Sequence, residues 1–402
     1  MEIRPIFSAL MRSKIGPFLL GLEMALTLAV LVNGAYVTQQ RLEFMDRDPG
    51  TDITNQFGIS FIPLSGMGSL RDTIERDLAE LRAMEGIRAV SATNTYPVSG
   101  GGWSSTMQTE PDGDNSTELG LYWTGVGGID AFGLDIIAGR KFNPDEHGYL
   151  QPRQRDNTVK AAILSKESAL AIWPDDDPRN AVGKAVYMGD DPIPIVGVVD
   201  RLMSAWPDWI PERSIVLPNI IDGGSVSYMV RAEPGRRDEM MPLVEAKLAE
   251  LNGERVIRGL RTMEEVRDRT YEDDRAVAVL MVTVVALLLA ITALGVVGLA
   301  SFNVNQRRKQ IGTRRALGAT RFNIIRYFLV ENVLITSGGI ALGLVLSILV
   351  NMQLIEHFNA PKLPVVYPLS GALVVLALGI AAAYWPARRA SRVPPAVATR
   401  TV

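Results

Sequence analysis

Cysteine is absent from all 402 residues. That excludes a disulfide framework and a thiolate metal site, and it fits any redox compartment. Histidine occurs only twice, at His147 and His357, far apart in the chain. A metal centre built on imidazole and a histidine-dependent acyl transferase are therefore both disfavoured. Charge of one sign is also lacking, with 41 Lys and Arg against 44 Asp and Glu, so the whole chain has no electrostatic field that would gather nucleic acid.

Charge is missing locally as well, and those gaps organise the chain. None occurs between Arg275 and Arg307, between Glu331 and Glu356, or between Lys362 and Arg388. Each gap exceeds the roughly 20 residues a helix needs to cross the hydrocarbon core. A fourth run, "IGPFLLGLEMALTLAVLVNGAYV", lies near the N-terminus and is interrupted by Glu23. Arg4, Arg12 and Lys14 precede it as in a signal peptide. Its apolar region is longer than a signal peptide uses, and "NGAYVTQQ" is a poor cleavage site, so it reads as a retained anchor. The expectation is a membrane protein with four transmembrane helices.

Cations flank these spans unevenly. The stretch "RRKQIGTRRALGATRFNIIRYFLVEN", 307–332, carries seven Lys or Arg and no acid before Glu331. The tail adds Arg388, Arg389, Arg392 and Arg400, whereas the third loop has only Lys362 beside Glu356. Positive-inside orientation then predicts cytoplasmic N- and C-termini, with the large region between the first two spans outside the inner membrane. The expected division is 1–38 for the tail and first span, 39–272 for the extracytoplasmic domain, and 273–402 for the rest.

The outer region mixes strand and helix patterns. "FGISFIPL" alternates like a strand, and "SLRDTIERDLAELRAM" is an amphipathic helix opened by Ser69-x-x-Asp72. "SYMVRAE", "RRDEMMPLVEAKLAEL" and "RVIRGL" repeat the unit late. Two such units far apart predict an α+β domain of two subdomains, the second inserted at about 103–207. Trp103, Trp123, Trp173, Trp206 and Trp209 lie in this region, and most are expected in its core. No G-x-x-x-x-G-K-[ST] phosphate loop occurs anywhere; "VGKAV" at 182–186 lacks both the first glycine and the hydroxyl residue. "LSGMGS" at 64–69 only superficially resembles the signature loop of ABC ATPases. No nucleotide or other cofactor is expected in this chain.

In "TMEEVRDRTYEDDRAVAVL", Thr262-x-x-Glu265 forms a second capping box. Neither Pro nor Gly interrupts 263–293. One unbroken helix is therefore expected to leave the outer domain and enter the second span, as a stalk bearing Glu264, Glu265 and Arg267. Gly339 and Gly343 form a small-x-x-x-small pair that predicts close helix packing, within the monomer or across a dimer. Glu23 is an acid inside a span and so a functional suspect. "RRALGATRF" reads as a helix ended by Gly318 in the left-handed region, followed by a helix capped by Thr320.

"QRRKQIGTRRALGATRFNIIRYFLVENVLI" resembles the cytoplasmic loop and third span of MacB/FtsX-type ABC transporter permeases, and "YWPARRASRVPPAVATR" is similar to their tail. "FGLDIIAGRKF", "VKAAILSKESALAIWPDDDPRNAVGKAV" and "IPIVGVVD" look like the family's outer core domain. The resemblance implies a homo- or heterodimer of four-span subunits, served by a separate cytoplasmic ATPase that binds Mg-ATP. It also implies ATP-driven movement of the outer domains, called mechanotransmission. Exported or extracted substrates in the family include drugs, peptides and lipoproteins, with a periplasmic adaptor as a further partner. Other members act as signalling transducers that control cell-wall hydrolases. On this footing Gln310, Ile311, Arg314, Arg315, Leu317, Gly318, Ala319 and Thr320 are expected to couple to the ATPase, with Ile311, Leu317 and Ala319 as an apolar tip. Gln310 stands where the family often has Glu before the Ile-Gly pair.

Overall fold

A computed structural model describes residues 15–111, 113, 115–151, 158–358 and 361–394. The orientation signals at Arg4, Arg12, Lys14 and Arg400 lie outside the described residues. The chain separates into two units, one comprising residues 1–46 with 273–402 and the other residues 47–272.

The first unit contains four helices long and apolar enough to cross a membrane. They are α1 (Ile15–Met45), α7 (Glu272–Gln306), α9 (Arg321–Phe358) and α10 (Val366–Ala390). In lipid every peptide group must be satisfied inside its own segment, and uninterrupted helices achieve this. Leu20, Met24, Leu28 and Val32 recur every fourth residue along α1 and pack against Ile335, Val375 and Ala383. Gly339 and Gly343 let α9 approach α1 at backbone distance. A Cβ on Gly339 would lie 2.7 Å from the Gly21 carbonyl, and one on Gly343 would lie 2.9 Å from that of Ala25. Side-chain amides add polar ties: Asn33 Nδ2 donates to the Ser347 carbonyl (3.1 Å) and Asn332 Nδ2 to that of Gly379 (2.8 Å). By contrast, α7 leaves Val279, Val282, Leu287, Ile291 and Leu294 uncovered.

The second unit holds two β-rich subdomains. In the first, β1 (Gln56–Pro63), β2 (Ile87–Thr93), β12 (Val226–Ala232) and β13 (Arg255–Thr262) form an antiparallel sheet ordered β13-β1-β12-β2. Helices α2 (Leu70–Arg82) and α5 (Arg237–Leu251) pack on it. Alternation selects the buried face: Phe57, Ile59 and Phe61 pair with Val230, Tyr228 and Val226, over Ile74, Leu81, Val244 and Leu248. Ser69 caps α2 by accepting from the Asp72 N–H. Asp77 is fully buried and accepts from Arg255 at 2.5 and 3.0 Å and from the Tyr228 hydroxyl at 2.8 Å.

The inserted subdomain contains β3 (Trp103–Gln108), β4 (Ser116–Trp123), α3 (Gly128–Phe132), β5 (Ile136–Gly139) and β6 (Gly148–Leu150). It continues through β7 (Ala162–Ser165), α4 (Lys166–Ile172), β8 (Ala185–Tyr187), β9 (Pro192–Val199), β10 (Ser214–Leu217) and β11 (Asn219–Ile221). Seven strands run in the order β5-β9-β7-β10-β4-β3-β8, and β8 also pairs with β9, so the sheet closes on itself. Trp123 is in its core, whereas Trp103 and Trp209 are exposed.

Three boundaries differ from the sequence expectation. The insert extends to Ile221, not about 207, because "SIVL" pairs in parallel with β4, a long-range contact without a local signature. Helix α1 continues to Met45, so the outer unit starts at 47 and not 39; "TQQRLEF" is polar but a good helix former. The expected unbroken stalk is interrupted. Helix α6 (Met263–Thr270) ends before Tyr271, whose φ and ψ are −95° and 12°, and α7 begins at Glu272. The reason is tertiary: Tyr271 is buried, and the Thr270 hydroxyl donates to the Val98 carbonyl at 2.7 Å.

Candidate functional site: the basic hairpin

Helix α8 (Arg308–Ala316) follows α7 after a break at Arg307 and turns into α9 through Leu317–Thr320. Gly318 has φ 95°, a conformation L-residues disfavour. The Ala319 N–H reaches back to the Arg314 carbonyl (3.0 Å) and the Gly318 N–H to that of Arg315 (3.2 Å). This is the paired bonding of a Schellman motif, which satisfies carbonyls the helix end would otherwise leave open. Thr320 Oγ1 then accepts from the Asn323 N–H (3.2 Å) and caps α9. The Gly318 and Thr320 roles read from sequence are both present in this geometry.

The tip is not the trio expected. Ile311 is 4% exposed and packs inward with Val304, Ile324, Phe328, Ala387 and Ala390, because α8 lies on the start of α9 and the end of α10. Ala319 is half-buried against the same cluster. Leu317 remains at the apex, 83% exposed, and Phe322 joins it at 68%. Phe322 was missed because its position in the first turn of α9 carries no periodic signal of its own. Its side chain and that of Leu317 flank the Gly318 turn with Arg321 exposed between them.

The hairpin base is fixed by polar ties. Arg307 Nη1 donates to Glu331 Oε2 at 3.0 Å and to the Tyr327 hydroxyl at 3.2 Å. Glu331 is nearly buried, so this pair resists screening better than a surface one. The only acid in the stretch was the available sequence signal for it. Arg315 donates to the Ser391 carbonyl just beyond α10. Arg314 lies over the Tyr327 ring, 4.8 Å from its centroid. Gln310, Arg308, Lys309 and Arg321 are exposed.

The remaining singled-out residues lie elsewhere. Glu265 is the reciprocal half of a capping box with Thr262 (both bonds 3.0 Å), and Glu264 pairs with Arg237 (2.9 Å). Arg267 lends its carbonyl to the Tyr271 N–H. Glu265 and Arg267 act within α6, whereas Glu264 ties it to the start of α5. In the first unit, Glu23 lies against α7, where a Cβ on Gly295 would come within 2.7 Å of Oε2. One turn along, Thr27 and Thr292 share a 2.7 Å hydrogen bond.

Residues 282–395, which contain most of α7 and all of α8, α9 and α10, match the FtsX-like permease C-terminal family. The chain is 26% identical over 358 residues to the macrolide export ATP-binding/permease protein MacB of Campylobacter jejuni subsp. jejuni, covering 84% of this chain and 52% of that protein. Against MacB of Neisseria gonorrhoeae it is 24% identical over 415 residues, covering 98% and 59%. The chain thus spans about half the length of the curated relatives it matches. Among solved structures, the extracellular domain of the noncanonic ABC-type transporter YknZ from Gram-positive bacteria covers 51% of this chain and 100% of its own. That match is 17% identical with a TM-score of 0.34.

Proposed function

From the premise that this chain is a multi-pass membrane protein carrying an FtsX-like permease domain, we propose that it is the membrane subunit of an ABC transporter whose basic hairpin docks onto a cytoplasmic ATPase. The single observation that carries this reading is the exposed Leu317–Phe322 tip, held on a preformed Gly318 turn above a base locked by Arg307–Glu331 and Arg315–Ser391. A rigid apolar tip ringed by cations suits a socket with an acidic rim. The topology follows: residues 307–332 and both termini on the cytoplasmic side, and residues 47–272 outside.

In this proposal Mg-ATP is bound and hydrolysed by the ATPase, and this chain performs no chemistry. Force enters at the hairpin, passes along α7 and leaves through Tyr271 and α6 into the outer domain. A second permease subunit, identical or related, packs on α7, the least covered of the four spans. The work done is export or extraction of a substrate at the outer face, supported by the similarity to proteins named for macrolide export.

The test is co-purification of the chain with its ATPase in mild detergent, followed by hydrolysis measurements. Burying Leu317 and Phe322 is worth about 1.5–3 kcal/mol each. Leu317→Glu with Phe322→Glu should therefore lower affinity for the ATPase by at least about tenfold and abolish stimulated hydrolysis. Full stimulation in the double variant overturns the docking assignment.

A further inference from the structure

Beneath the hairpin, on the face of α8 turned toward α9, lies a small pocket lined by Arg307, Gln310, Ile311, Arg314, Tyr327 and neighbouring apolar side chains. We propose that this pocket binds the phosphate of an anionic phospholipid from the leaflet on the hairpin side.

Depth places the pocket among headgroups. Arg307 is the first charge after the uncharged run that follows Arg275, and Tyr327 lies four residues before Glu331, where the next uncharged run begins. The pocket therefore stands where hydrocarbon gives way to phosphate. Tyr327 suits that layer, and so does Trp385 near the end of α10, which is 59% exposed with Arg389 over its ring at 5.8 Å.

Charge selects an anion. Glu331 is committed to Arg307, while Arg314 has no carboxylate within ion-pair distance among the described residues. The Arg314 guanidinium lies over the Tyr327 ring, 4.8 Å from its centroid, which holds its charge at the pocket where a phosphate would enter. Gln310 contributes an amide donor where an acid would repel the ligand. Five further cations, Arg308, Lys309, Arg315, Arg321 and Arg326, raise the local anion concentration but cannot define one site. The pocket's particular donors supply the specificity, and no ATPase is needed to fill it.

The experiment uses the full chain purified without any ATPase and read by native mass spectrometry with phosphatidylglycerol or phosphatidylcholine. One phosphatidylglycerol should be retained at least about fivefold over phosphatidylcholine. Gln310→Glu should erase that preference, whereas Thr313→Glu, an equal charge change on an exposed residue outside the pocket, should keep most of it. Arg314→Gln should also lose it, and excess inorganic phosphate should not displace the lipid. Equal losses for Gln310→Glu and Thr313→Glu would show diffuse attraction only and overturn the site. No preference in the unaltered chain would overturn it as well.

Discussion

Gly318 allows a conformational contribution to be measured without a packing one. Its φ of 95° is the left-handed conformation, and a Cβ built there meets nothing within 4 Å. Substitution therefore adds no clash with neighbouring residues and only charges the backbone for its handedness, about 1–2 kcal/mol for alanine. Asparagine tolerates this region better, and a β-branched valine tolerates it least. The expected order of docking strength is Gly, Asn, Ala, Val. A cost of 1–2 kcal/mol lowers the fraction of hairpins holding the native turn by roughly 5–30-fold in population ratio. The apparent affinity for the ATPase falls by about the factor lost from the competent fraction, with hydrolysis at saturation little changed. Titrating the ATPase against reconstituted permease variants and reading stimulated hydrolysis gives the midpoint. Thermal unfolding of each variant should fall by only about 2–4 °C, because the cost is confined to one turn of a large chain. If Gly318→Val docked as tightly as the unaltered chain, the turn would not be the element the ATPase reads.

Asp77→Ala should lower stability by about 3–5 kcal/mol, because it strands the buried Arg255 guanidinium, which is stacked on Phe61 at 4.8 Å. Joint replacement by Asp77→Leu and Arg255→Met should cost much less, and thermal unfolding of the two variants discriminates these outcomes. Gly343→Leu should disrupt the close approach of α9 to α1, seen as loss of the monodisperse peak in detergent, while Gly338→Leu, with open space around it, should not. Burial holds the His147 imidazole below its ordinary range, although Glu146 pulls the other way. The unfolded chain therefore binds the proton more readily than the folded one. Stability from this site is complete above about pH 6.5 and declines as pH falls through the lower folded value. His147→Gln should flatten that part of the pH–stability curve, and an unchanged curve would contradict it.

Some of this was legible from residue order alone because its causes are local. Charge-free runs located three spans, and a fourth apolar run broken only by Glu23 completed the set, since a bilayer penalises charge at every position along a helix. Ser69, Thr262 and Thr320 announced helix starts, and Gly318 announced a helix end, because caps satisfy backbone groups within three or four residues. The strand pattern of "FGISFIPL" located β1. The small-x-x-x-small spacing announced a close helix contact, but whether the partner was α1 or another subunit could not be read from α9 alone.

The remainder depended on residues far apart in the chain. Ile311 reads as apolar in a polar helix, which fits an exposed tip or a buried anchor equally well; the cluster drawn from α7, α9 and α10 made it an anchor and left the apex to Leu317 and Phe322. Arg315 reads as one cation among seven, yet its carbonyl partner at Ser391 is 76 residues away. Nothing between 263 and 293 is a helix breaker, yet the helix stops at Tyr271, where burial and the Thr270–Val98 hydrogen bond outweigh one more turn of propensity. Sequence by itself thus determined the membrane-spanning architecture, the caps and the turn, because hydration and backbone hydrogen bonding act residue by residue. Only the tertiary structure decided which apolar and cationic side chains remain available to a partner, because exposure is what is left after distant segments have packed.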